Sequence, residues 1–162
     1  MVLIINNFRY MSDSYLNINL HIIFHVKYSS CRMEERDLPR IFNYMGGIIR
    51  ALSGNAYKIG GRPDHIHILT SLPPNMSVPD FVRKIKSNSS KWIKSLSVEY
   101  AAFSWQGGYA AFSVSESKKK TIIAYIANQK CHHMSRSTSD EFLVFLKKNG
   151  MTMFNGGNLP DK

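Results

Sequence analysis

From Leu20 onward apolar side chains alternate with others, placing Leu20, Ile22, Phe24, Val26 and Tyr28 on one face. That period of two predicts a half-buried strand. Asp37 suits a helix N-cap, and Leu38, Ile41, Met45, Ile48 and Leu52 follow at helical spacing. Gly46 and Gly47 inside this helix each cost about 1 kcal/mol relative to alanine, which predicts another backbone packed close there. Gly54-Asn55 ends it. Residues 56–60 and 65–71 then predict two strands joined around Gly61-Arg62-Pro63-Asp64, and Pro73-Pro74 stops the second. Ser77-x-x-Asp80 has the form of a capping box. The helix it opens turns Val82, Ile85, Trp92 and Leu96 inward and Arg83, Lys86, Ser87, Ser90 and Lys94 outward. A fourth strand is expected over 109–115, with helices over 118–132 and 138–150. The order β-α-β-β-α-β-α-α predicts an α+β fold with a ferredoxin-like split β-α-β core, an antiparallel sheet and helices on one face. Neither repeat nor linker divides the chain, so residues 1–162 are expected to form a single domain, with 1–18 and 151–162 peripheral. Met11 stands as an alternative start.

Composition narrows the function classes. The 162 residues are 44% hydrophobic and 20% charged, which suits a globular core rather than a disordered tail. No apolar run approaches the roughly 18 residues of a membrane span. Neither a signal-like N-terminus nor a disulfide framework is visible, since Cys31 and Cys131 are the only cysteines. A cytoplasmic protein without membrane partners is therefore expected. The charge is the unusual quantity: 21 Lys+Arg against 11 Asp+Glu, a net +10. Residues 78–97 carry Arg83, Lys84, Lys86, Lys91 and Lys94 against Asp80 alone. Residues 115–136 carry Lys118, Lys119, Lys120, Lys130 and Arg136 against Glu116. Clustered cations suit a polyanion, because neutralised phosphates release condensed counterions. Two solvated helix faces would show the same pattern.

Candidate chemistry enters at His65-Ile66-His67. On a strand both imidazoles point to one face and Ile66 to the other. Neutral imidazole is a common ligand of divalent metals, although two satisfied histidines would look alike. Tyr125 and Gln129 stand one helical turn apart. The Gln129 carbonyl is a hard oxygen ligand, so His65, His67 and Gln129 together make an open site for Mg²⁺ or Mn²⁺. Tyr125 beside it is then a candidate nucleophile, and otherwise a half-buried helix tyrosine. His132 and His133 fit either a further cluster or a helix C-terminus, and Cys131 reads as structural.

Five strings continue in order. They are Gly60-Gly61-Arg62-Pro63-Asp64-His65-Ile66-His67; Arg83-x-x-Lys86-Ser87-x-Ser89-Ser90-x-Trp92; Trp105-Gln106-x-Gly108-Tyr109; Phe112-Ser113-Val114-Ser115; and Tyr125-Ile126-x-Asn128-Gln129-x-x-His132-His133. Together, over roughly residues 15–150, the chain resembles the single-tyrosine HUH transposases of small bacterial insertion sequences. The resemblance implies an RRM-like core, a catalytic Tyr125, and a metal on His65, His67 and Gln129. It implies cleavage and rejoining of single-stranded DNA through a 5′-phosphotyrosine, at element ends marked by hairpins. It also implies a sheet-to-sheet homodimer in which each tyrosine helix can serve its partner's site. The phosphodiester energy is conserved, so no nucleotide cofactor is expected, and no P-loop string is present. Trp105 or Tyr109 is available to stack on bases, while Trp105 equally suits a place in the core. Two alternatives are a host-domesticated REP-associated tyrosine transposase and a non-catalytic RRM-like RNA-binding module. The latter needs aromatic pairs on the central strands, where His65 and His67 stand.

Overall fold

β1 (Asn19–His25) forms where the alternation begins, and its even-numbered residues Leu20, Ile22 and Phe24 are buried in the main core. The structure is a computed structural model, and it describes residues 16–128. Next come α1 (Leu38–Ala51), β2 (Ala56–Arg62), β3 (His65–Ser71), α2 (Val78–Lys94), β4 (Ala110–Val114) and α3 (Lys119–Ala127), with single 3₁₀ turns at Val98–Tyr100 and Glu116–Lys118. The four strands make one antiparallel sheet in the order β2-β3-β1-β4. The predicted α+β split β-α-β core is therefore observed.

Register sets the two faces. Ile22 lies opposite Ile68, and Phe24 opposite Ile66, on the face that carries the main core. Against that face α1 brings Ile41, Met45 and Ile49, and α2 brings Phe81, Val82, Ile85 and Ile93. Ser77 caps α2 by accepting the Asp80 amide at 3.2 Å, and its hydroxyl donates to the Asp80 carboxylate at 2.7 Å. α3 lies on the opposite face, over β2 and β3. A Cβ on Gly60 would stand 2.8 Å from both Cγ2 and the carbonyl oxygen of Ile126. Both faces of the sheet thus carry a helix, two on one side and α3 on the other.

Several expectations are corrected. Tyr28 does not continue β1: the chain turns there, with the Ser30 amide bonded to the Lys27 carbonyl at 2.8 Å, and Tyr28 is 76% exposed. Asp37 holds the N-cap position of α1, but its carboxylate accepts the Tyr100 hydroxyl at 2.9 Å instead of capping an amide. No backbone crowds Gly46 or Gly47. A Cβ on Gly46 meets only side chains, and one on Gly47 meets nothing within 4 Å. The inward placement of Trp92 and Leu96 holds, since both are half-buried against the main core beside the fully buried Ile93. Of the regions expected to be peripheral, residues 1–15 and 151–162 lie outside the described residues, as do Met11, Cys131, His132, His133 and the helix expected over 138–150.

Candidate active site

The second face of the sheet gathers the chemistry. His65 and His67 on β3 share this face with His21, Ile23 and His25 on β1, because His25 lies opposite His65 and Ile23 opposite His67. His65 and His67 are buried, with ring centroids 5.1 Å apart. His21 lies diagonal to His67, stacked at 5.2 Å, with its Nε2 3.0 Å from His67 Nδ1. Asp64 Oδ1 sits 2.8 Å from His65 Nδ1. His25 tilts against His65 at 5.6 Å. Burial pushes the pKa of His21 down to about 4. Burial also pushes His25 down to about 4, helped by the neighbouring His65 and partly opposed by the Asp64 carboxylate. His21 and His25 are therefore neutral at pH 7.

α3 carries Tyr125 to this cluster. Its ring meets His67 edge-on at 5.6 Å and His21 at 6.2 Å between centroids. The helix is seated by buried Ile126 on the bare backbone of Gly60 and, a turn or two earlier, by Lys119. The Lys119 ammonium lies 3.7 Å from the centroid of the Tyr57 ring on β2 and 3.2 Å from Glu116. A tyrosine and two histidines separated by 58 residues or more in sequence thus meet across the sheet surface.

The residues present fit a divalent metal. Asp64 engages Nδ1 of His65 and His21 engages Nδ1 of His67, so in both rings Nε2 is the nitrogen a metal would take, with an orienting partner behind it. Among the described residues no three His, Cys, Asp or Glu side chains converge as a metal cluster. Gln129, the expected third ligand, lies outside the described residues.

The basic segments separate. α2 presents exposed Lys84, Lys91 and Lys94, and Arg83 that pairs with Asp80 at 2.8 Å. It does so from the core side of the sheet, away from Tyr125, because its apolar stripe packs on Ile22 and Ile68. Lys118 and Lys120 are exposed at the start of α3, on the Tyr125 side. Lys86 is not a free surface cation. It donates to the carbonyls of Gln106 and Gly108 at 2.6 and 2.8 Å, and burial lowers its pKa. Trp105 is core: it is 7% exposed, and its indole N–H donates to Ser89 Oγ at 3.0 Å. Tyr109, 39% exposed, lines a cleft of about 410 Å³ with Arg83, Ser87 and Ser90 between α2 and the 104–109 segment.

The sequence profile described as "Transposase IS200 like" matches residues 14–129. The chain belongs to the IS200-like transposases. A curated relative, the ISDra2 transposase TnpA of Deinococcus radiodurans, is 32% identical over 75 residues, which is 41% of this chain and 51% of the relative. The chain thus aligns with about half the length of that relative. Two solved structures share its fold. One is a candidate transposase from Deinococcus radiodurans, with TM-score 0.56 and 23% identity, covering 72% of this chain and 95% of that one. The other is a REP-associated tyrosine transposase bound to a REP hairpin, with TM-score 0.54 and 14% identity, covering 94% and 95%.

His21 and His25 are legible in principle. The alternation that buries Ile22 and Phe24 sends 21 and 25 to the face that carries His65 and His67. What the one-dimensional pattern lacks is the antiparallel pairing of β1 with β3 that brings the two sets together.

Proposed function

We propose that this transposase cleaves and rejoins single-stranded DNA at hairpin-marked ends, with Tyr125 as nucleophile. The observation that carries the reading is the Tyr125 ring standing against His67 on the histidine face, 5.6 Å between centroids. The Tyr125 hydroxyl oxygen attacks the scissile phosphorus as its proton departs. The 3′-oxygen leaves, giving a 5′-phosphotyrosine and a 3′-OH strand. Attack by a second 3′-OH reverses the step, so the energy of the phosphodiester is retained and no nucleotide cofactor is needed. A Mg²⁺ or Mn²⁺ ion held by His65, His67 and Gln129 would polarise the phosphate and stabilise its developing charge. The protein's own part is to hold Tyr125 over the sheet and to keep both histidines oriented.

Excising an element takes two cleavages, and each chain offers one nucleophile, which supports a homodimer. Among the described residues β4 pairs with β1 alone, and such an edge can extend a sheet into a second copy. The likeness to a REP-associated tyrosine transposase supports a second reading, in which the same residues act on dispersed host hairpins. Cleavage of the DNA flanking its own gene, as against REP hairpins, separates the two.

The test is covalent adduct formation with a single-stranded hairpin substrate and Mn²⁺. Tyr125→Phe is expected to abolish the adduct and leave hairpin binding near wild type. An adduct that persists in this variant assigns the nucleophile elsewhere, and none from the wild type on any hairpin leaves a binding module. His67→Ala is expected to remove cleavage and its metal response together; cleavage unchanged by chelator would sink the metal.

A further inference from the structure

We propose that His21 is a positioning residue for His67: its Nε2 accepts the His67 Nδ1–H and thereby turns His67 Nε2 toward the metal. The inference rests on the metal reading above. The two nitrogens stand 3.0 Å apart between residues that are 0% and 4% exposed, so one proton is shared between them in a buried setting. Only two arrangements fit neutral rings. If His21 Nε2 donates, His67 Nδ1 accepts, its proton resides on Nε2, and that nitrogen has no lone pair for a metal. If His67 Nδ1 donates, Nε2 keeps its lone pair. Ligation by His67 therefore requires the second, and His21 is the acceptor that stabilises it. The neighbouring ligand has its own device, since the Asp64 carboxylate accepts from His65 Nδ1 at 2.8 Å. One ligand is oriented by a carboxylate and the other by an imidazole from a different strand.

His21 is itself held in place. It lies opposite Phe112 of β4, tilted against that ring at 6.5 Å, and meets the edge of Tyr125 at 6.2 Å. Such a seat leaves the imidazole little rotational freedom, which is what an orienting group needs. Loss of an orienting partner typically weakens metal affinity by about 10–100-fold.

The experiment measures Mn²⁺ binding to the full chain by the electron paramagnetic resonance signal of free Mn²⁺. His21→Leu keeps the volume and removes the acceptor, so its Mn²⁺ dissociation constant is expected to rise about 10–100-fold. His21→Gln places an amide oxygen near the former Nε2 and is expected to stay within about three-fold of wild type. Equal affinities for wild type and His21→Leu overturn the inference, as does equal loss in the Leu and Gln variants when both remain folded by circular dichroism. Absence of binding in the wild type instead removes the metal reading beneath it. Should the Leu variant not fold, imidazole ¹⁵N shifts of the wild type decide: an Nδ1–H tautomer at His67 is expected, and an Nε2–H tautomer overturns the proposal.

Discussion

His21 and His25 show how a side chain can be ordinary in sequence and unusual in place. Both are drawn from an ordinary pKa of 6.5 to about 4, chiefly by burial. Between those values the unfolded chain binds more protons than the folded one. Their contribution to stability is therefore complete above pH 6.5 and is lost as pH falls toward 4. Urea unfolding of the metal-free protein is expected to show stability falling over that window, by no more than about 3 kcal/mol for each histidine. His21→Gln and His25→Gln should each flatten the profile, and an unchanged profile in both would exclude this origin. Trp105 makes the opposite point. In sequence it sits in a turn-rich stretch suited to base stacking, yet its ring packs edge-on against Phe24 and Phe103, each at 4.9 Å. Nothing local distinguishes an aromatic that stacks on a base from one that closes a core.

At the scale of elements, what matters is how α3 lies on the sheet. Glycine pairs in a strand often mark close backbone approach, and Gly60 is such a place. A Cβ there would enter the space of the Ile126 side chain and carbonyl, 2.8 Å from each. Backbone cannot retreat as a side-chain tip can, so Gly60→Ala must lift α3 and carry Tyr125 with it. A displacement near 1 Å can cost about a hundred-fold in rate. Gly60→Ala is therefore expected to slow adduct formation by about ten- to a hundred-fold, with hairpin affinity close to wild type and a urea midpoint lowered by the overpacking. A normal adduct rate would mean that α3 is not seated on β2 during the reaction. The glycines of α1 invite the same expectation, but the space beside them is open. Helix periodicity reports which residues face inward, not how near the next backbone comes.

At the scale of the whole molecule, the two basic clusters that the described residues include lie in different layers. The α2 cations lie on the core side of the sheet, and Lys118 and Lys120 on the side of Tyr125. Engaging DNA at both layers requires a strand that reaches around the protein, which suits a hairpin continued by a single strand. Alanine at Arg83, Lys84, Lys118 or Lys120 is expected to reduce the slope of log affinity against log salt by about 1 for each phosphate no longer neutralised. The α2 changes should do so on the isolated hairpin, and the α3 changes only on substrates that carry the flanking strand. Lys86→Ala should behave differently. Its amine already serves two carbonyls, so the variant should lose stability more than salt slope. Equal slopes for every variant would place the phosphates on some other surface.

Over the described residues, the sequence by itself determined the strand and helix order, the buried stripes of β1, α1 and α2, and the pairing of His65 with His67. Each of these depends on spacing along one element, and hydrophobic periodicity reports that directly. Tertiary structure alone decided that β1 lies beside β3, so that His21 stands behind His67. It also decided that α3 crosses the face opposite α2, and that Trp105 and Lys86 are committed to internal partners. These facts depend on which surfaces meet and on how closely backbones approach, and the meeting of residues distant in sequence leaves no period in it.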